Sequence, residues 1–305
     1  MDLFASTRLA DSSKRLFNDK LRQFIAMMPQ ANRNIDAIVD NPEMAARVLN
    51  AQTTITQSAA NRHLYYSAVV AYLKHTDAGK RRSEPLKQRW EKIQKTNWEE
   101  RRQQNLNNEP SADQLTVAQQ IKWADVVRVR DTLPRGSSER LLLSLYTYFP
   151  PLRADYYEVR INPPAAQRTA TATTNFLVLA PTAEASTLVI RDFKTAAKYK
   201  EIKHILPQPL YDEIKASLAA KPRNYLFVMP SDTTRPYDRN GFSKWANKQL
   251  QLLFKVPITL TSLRHLYIST LDFNRTRAGD LEKIGNSMGH SISMQKGYQW
   301  IEPKA

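Results

Sequence analysis

The chain predicts a mainly α-helical protein with one small antiparallel β-sheet. Two observations predict it. Apolar residues recur at three- and four-residue spacing through most of the 305 residues, and three short runs rich in Val, Ile, Leu and Phe, all between 175 and 207, break that rhythm. The length and a change of character near the middle add a division into two domains, each long enough to bury a core. The predicted boundaries are a helical domain over 1–76, a charged linker with one helix over 77–110 and a second domain over 111–305.

The first helix is expected where Ser12 or Ser13 caps KRLFNDKLRQFIAMM, whose Leu16, Leu21, Phe24 and Ile25 fall near helical spacing. NPEMAARVLNAQ and AANRHLYYSAVVAYLKHT read as further helices, so 12–75 forms a small bundle with basic residues between its apolar faces. From Asp77 to Asn108 the sequence turns highly charged, and only Leu86, Trp90 and Ile93 make a thin apolar stripe. Two accounts fit: a charge-paired, solvated helix without a partner, or a basic strap laid along a polyanion backbone between two domains. Ser111 then caps a helix over ADQLTVAQQIKWADVVRVRDTL, and another over SSERLLLSLYTYF stops at a proline pair. The strand-like runs NFLVLA, STLVIRDF and EIKHILP follow, with KTAAKYK in the turn between the last two. PLYDEIKASLAA, NGFSKWANKQLQLLF and SLRHLYISTLDF return to helical spacing, and MGHSISMQKGYQW reads as a short helix that carries both His290 and Tyr298.

Composition bounds the chemistry. A formal charge of +16, from 45 Lys and Arg against 29 Asp and Glu, is spread along the chain rather than held in a tail. A polyanion is the natural partner, and nucleic acid is favoured over a lipid surface, which would draw the basic charge onto one amphipathic helix. The absence of cysteine removes disulfides and thiol catalysis, and five histidines without metal-ligand spacing argue against a histidine metal site. No apolar stretch approaches the ~20 residues of a membrane span, and the N-terminus lacks the order of a signal peptide. An intracellular, non-secreted protein is expected.

Separated segments put cations and donors in conspicuous places. In YTYFPPLRADYYEV, Arg153 follows the proline pair, and Asp155 two residues on is placed to hold its guanidinium toward a phosphate. Lys194 in RDFKTAAKYK sits at the tip of the expected hairpin, with Lys198 as the alternative if the register differs. Arg264 in TLTSLRHLYIST is expected in the first turn of a helix, where backbone N–H groups also favour an anion. His290 precedes Tyr298 by eight residues, close to the end of the sequence. Taken singly, each has a bland reading: salt-bridge arginines, a solvated lysine, a capping histidine, and a packed tyrosine among 13.

The order is what distinguishes them. An arginine, a hairpin lysine, an arginine in S-L-R-H, a Gly-His and a tyrosine near the end resemble the tyrosine recombinase, or phage integrase, family. TSLRHLYIST looks like that family's His-x-x-Arg helix, MGHS like its Leu-Gly-His-Ser turn and PLRADY like its first-arginine motif. The proline pair with the trailing Asp-Tyr is similar to recombinases of large DNA viruses, satellite viruses and Crypton-type transposons. The resemblance spans residues 111–305, with a looser match over 1–75 to the helical DNA-binding domain that precedes the catalytic domain in the family. Thr261 departs from it, standing where the family's histidine opens the His-x-x-Arg motif and unable to carry charge. The spacing from Gly-His to Tyr is also one residue short, and the seven residues after Tyr298 imply no long tail to pass to a neighbouring subunit.

The resemblance implies a site-specific recombinase or integrase that breaks and rejoins DNA through a 3′-phosphotyrosyl intermediate, without metal, ATP or other cofactor. Arg153 and Arg264 would hold the phosphate, Tyr298 would attack it, Lys194 would protonate the leaving oxygen, and His290, with Thr261 as a weaker sixth member, would assist. The implied partner is double-stranded DNA, gripped by a homotetramer at a Holliday junction, with no membrane and no small-molecule substrate. Lys80, Arg81, Arg82, Arg62 and Lys198 are the expected DNA contacts. The alternatives are relaxation of DNA in the manner of a type IB topoisomerase, and a DNA-binding relative that has lost catalysis.

Overall fold

The computed structural model describes residues 2–52, 59–106, 110–169 and 173–300. It is mainly helical with two small sheets, and its contacts divide the chain into two compact units, Met1–Asn107 and Asn108–Ala305. Among the described residues no helix is long and apolar enough to cross a membrane.

The first unit contains α1 (Asp11–Met27), α2 (Ile35–Asp40), α3 (Pro42–Ala51), α4 (Ala59–His75), α5 (Asp77–Lys80) and α6 (Glu84–Leu106). Helix α1 begins two or three residues earlier than its serines suggest, with Ala10 at the cap position, and Leu16 points outward while Leu21 and Phe24 are buried. Helix α4 is apolar nearly all round and forms the centre, packed by α1 and α6.

The expected charged linker proves to be part of this core. The stripe of Leu86, Trp90 and Ile93 on α6 closes over α4; Trp90 is fully buried and its Nε1 donates to Val39 O at 2.8 Å. A buried indole contributes far more than the charges around it, since exposed ion pairs such as Lys74–Glu91 are each worth at most ~1 kcal/mol. The segment therefore packs as a helix with a partner rather than running free.

The second unit opens with α7 (Ala112–Gln120), capped by Ser111 and Gln114 in a reciprocal box. The single long helix expected there breaks after Gln120: Asp125 accepts from the Lys122 backbone N–H at 2.9 Å and starts α8 (Trp123–Thr132). Helix α9 (Ser138–Tyr148) buries the unbroken run Leu141–Tyr146, and it ends ahead of Pro150 and Pro151. The main sheet has the order β1 (Arg160–Ile161), β2 (Phe176–Val178), β3 (Thr187–Ile190), β4 (Ile202–Ile205). The β2–β3 and β3–β4 pairs are antiparallel as expected, with Ile190 opposite Ile202, whereas the two-residue β1 pairs parallel with β2 and makes the sheet mixed. Strand β1 was too short to leave an alternation in the sequence.

The connection from β3 to β4 holds the short α10 (Ala196–Tyr199). There follow α11 (Gln208–Ala220), the hairpin of β5 (Val228–Met229) and β6 (Asp232–Pro236), α12 (Arg239–Phe254), α13 (Leu260–Ser269), α14 (Ala278–Ser287) and α15 (Ile292–Lys296). One core joins α9, the sheet, α11, α12 and α13 through Leu142, Tyr146, Ile190, Ile214, Phe242 and Leu263. The last helix is shorter than the sequence suggests. His290 lies in the turn before Ser291 caps α15, and Tyr298 lies just beyond its end.

Candidate active site

Arg153 is set by the loop that follows α9. The proline pair ends the helix, the Arg153 backbone N–H donates to Asp155 Oδ2 at 3.2 Å, and its carbonyl accepts from the hydroxyl of the fully buried Tyr146. With both poles of its peptide pinned, the half-buried side chain reaches across the unit, and its Nη2 donates to the Tyr298 hydroxyl at 2.9 Å. The two residues are 145 positions apart in the chain.

Arg264 is the fifth residue of α13, one turn deeper than the sequence suggested, and has no exposed surface. Its Nη1 donates to Pro151 O at 2.7 Å, and both Nη atoms lie 3.4–3.5 Å from Met288 O. The carbonyls of the proline loop and of the Met-Gly-His turn thus fix its plane. Its Cζ is 5.1 Å from the centre of the Tyr298 ring, while its buried Nε has no hydrogen-bond partner. Burial lowers this guanidinium to a pKa of about 10, so it stays charged at neutral pH.

His290 is carried by a turn that only glycine permits. Gly289 has φ +67°, and a Cβ there would lie 3.0 Å from the Phe193 ring. The imidazole is buried, with Nδ1 3.1 Å from Ser291 O, Nε2 unpartnered and its ring centre 5.7 Å from that of Tyr298. Burial, reinforced by Arg264, pushes its pKa down to about 4, so it acts as a neutral group at pH 7. For Tyr298, burial opposes ionisation, but the charges of Arg264 and Arg153 outweigh it and hold the phenol below its ordinary pKa.

Lys194 is exposed on the β3–β4 connection rather than bonded into this group. Its neighbours tether that connection to the His290 turn: Phe193 covers Gly289, and Thr195 Oγ1 donates to Gly289 O at 2.6 Å. Lys198 is also exposed, on α10, with its Nζ over the Tyr199 ring at 5.2 Å. Thr261 is exposed at the second position of α13 and shares no hydrogen bond with the group.

Two contributors were missed by sequence reasoning. His265 Nδ1 donates to the Tyr298 carbonyl oxygen at 2.7 Å, and its ring stacks on Trp300 at 5.0 Å. Arg239, at the start of α12, pairs with Asp155 at 2.7 Å, so that carboxylate serves the backbone of Arg153 and the side chain of Arg239 rather than the Arg153 guanidinium. The adjacency of His265 to Arg264 was a usable signal; nothing local marked Arg239.

Among the expected DNA contacts, Arg62 pairs with Glu100 at 2.6 Å, and Arg82 pairs with both Asp36 and Asp40. These two are committed inside the first unit, where they brace its helices. Arg81 is exposed, and Lys80 is exposed with Asp77 3.9 Å away.

In comparisons with known proteins, no family model and no curated protein matches the chain. Among solved structures, one of XerA recombinase is similar at 13% identity, covering 94% of each chain with a TM-score of 0.40. A likeness of that size adds nothing to what the residues show.

Proposed function

We propose that this protein breaks and rejoins DNA strands as a tyrosine-type site-specific recombinase, with Tyr298 as the nucleophile. One observation carries the reading: a phenol bonded by one guanidinium at 2.9 Å lies under a second, fully buried guanidinium. A buried arginine without a carboxylate partner is an unfavourable arrangement unless an anion completes it, and here Arg264 and His290, each with one unpartnered buried nitrogen, lie 5.1 and 5.7 Å from the Tyr298 ring centre. A tyrosine held only for packing would need no such charge.

In the reaction, a backbone phosphate takes the place of solvent beside the half-buried Arg153 and the Tyr298 hydroxyl, with the buried Arg264 charge behind the phenol. The two guanidiniums favour the phenolate and then the extra negative charge of the five-coordinate transition state. The Tyr298 oxygen bonds to phosphorus as its proton leaves to solvent water. The bond from phosphorus to the 5′ oxygen breaks, and the Lys194 ammonium delivers a proton to that oxygen. Neutral His290 spends its one N–H on Ser291 O and leaves Nε2 as an acceptor, so it adds no third positive charge beside the arginines. The phosphotyrosyl ester conserves the energy of the broken bond, so a 5′ hydroxyl from another strand reverses the step and joins new partners. Exchange between two duplexes calls for four copies on DNA, and the charge of +16 supplies the attraction to the backbone.

The test is a nicked suicide duplex that loses its 5′ hydroxyl fragment on cleavage. Wild-type protein is expected to leave a covalent adduct on a denaturing gel, and Tyr298→Phe none. Identical behaviour of the two proteins would sink the reading. Relaxation of supercoiled plasmid by a DNA-bound monomer, without recombinant products, would assign the same chemistry to a topoisomerase.

A further inference from the structure

The proposed cleavage places Arg153 and Lys194 on two different loops, and the phosphate and its leaving oxygen fix how far apart the two cations must stand. Neither loop is a regular element, so some other group must set their separation. Arg239 touches both. Its Nη1 donates to Asp155 Oδ1 at 2.7 Å, while Asp155 Oδ2 accepts from the Arg153 backbone N–H. Its Nη2 donates to Asp192 O at 3.0 Å and lies 3.3 Å from Asp192 Oδ1, two residues before Lys194.

The bridge is braced on both sides. Asn175 Oδ1 accepts from the Asp192 N–H at 2.8 Å, and its Nδ2 donates to Asp155 O at 3.2 Å. Tyr157 donates its hydroxyl to Asp192 Oδ2 and lays its ring against the Arg239 guanidinium, 4.9 Å from its centre. Asp155 is 3% exposed and Arg239 is the cation it pairs with, at 2.7 Å. Only a planar fork can serve two anchors on divergent loops at once; an ammonium on a flexible stem reaches one or the other.

We propose that Arg239 is a positioning residue that locks the Arg153 loop to the Lys194 turn and so aims the leaving-group acid, an inference that rests on the recombinase reading above. Arg239 touches no reacting atom. Its loss leaves the nucleophile in place and lets the Lys194 turn drift, so the defect falls on protonation of the departing oxygen.

The experiment compares two suicide duplexes, one with the natural 5′ oxygen at the scissile bond and one with sulfur in its place. A thiolate is a weak base that leaves without a proton, so the sulfur substrate needs no general acid. Arg239→Ala is expected to form adduct at least ~30-fold more slowly than wild type on oxygen and within ~3-fold of it on sulfur, the pattern of a misplaced acid. Arg239→Lys, which keeps a positive charge near buried Asp155 and so protects the fold, is expected to show the same sulfur-specific recovery. A variant pair equally slow on both substrates, or unimpaired on both, would overturn the inference while wild-type cleavage stands. No adduct from wild-type protein on either substrate would overturn the proposed chemistry, and this inference with it.

Discussion

Arg264 concentrates the physical argument in a single residue. A guanidinium with no exposed surface, held by carbonyls rather than carboxylates, keeps its full charge pointed at the Tyr298 ring. Replacing it with Met preserves bulk and removes that charge. Arg264→Met is therefore expected to raise the Tyr298 pKa toward or above that of an ordinary phenol, because burial then acts with less opposition. Ultraviolet titration of wild type, Arg264→Met and their Tyr298→Phe counterparts isolates this one phenol among 13. Adduct formation is expected to fall by roughly 10²–10³-fold, the usual loss on removing one preorganised donor from a developing anion. A phenol unmoved by the substitution would show that Arg264 serves packing alone.

The elements that matter most are α13 and the segment after α15. His265 and Ser269 stand one turn apart on α13, and together they catch the terminal segment: His265 takes the Tyr298 carbonyl, and Ser269 Oγ accepts from the Trp300 N–H at 3.1 Å. Tyr298, the proposed nucleophile, is thus docked onto the helix that carries Arg264 in the same chain. It follows from the proposed chemistry that Tyr298→Phe protein mixed with Arg153→Ala protein should form no more adduct than either alone, since Tyr298 meets Arg153 and Arg264 of its own chain. Adduct in the mixture, read on the same denaturing gel, would mean that the tyrosine is supplied by a neighbouring copy. The sequence exposed the Arg264 helix and the His290 turn, because caps, a proline pair and a Gly-His leave local marks. It did not expose this docking, since His265 and Tyr298 lie 33 positions apart and no period links them.

At the scale of the whole molecule, the second unit holds one buried and two partly buried histidines without charge at neutral pH. Burial lowers His204, stacked on Phe149 at 4.2 Å, to about 4, and His265 and His290 reach about 4 as well. The unfolded chain holds these groups near 6.5, so between roughly pH 6.5 and 4 it binds more protons than the folded protein, and stability falls as pH falls. Calorimetric scans from pH 7 to 4.5 are expected to show a steadily decreasing Tm for the unfolding of this unit. His204→Phe, which keeps the ring against Phe149 and cannot take a proton, should flatten that slope. A Tm independent of pH over this range would contradict the neutral state of the three rings.

What the sequence determined by itself was local: helices wherever apolar residues recur with the turn, strands where β-formers cluster, a basic surface, and the residue types able to grip a phosphate. Tertiary structure alone decided which of those residues meet. It drew Arg153 onto Tyr298, turned the charged stretch around Trp90 into a packed helix, committed Arg62 and Arg82 to carboxylates, and set Arg239 between two loops. The reason is the range of the forces. Backbone periodicity and capping act over a few residues, whereas a site assembled from segments more than a hundred residues apart exists only once the core has closed and fixed the loops at its edge.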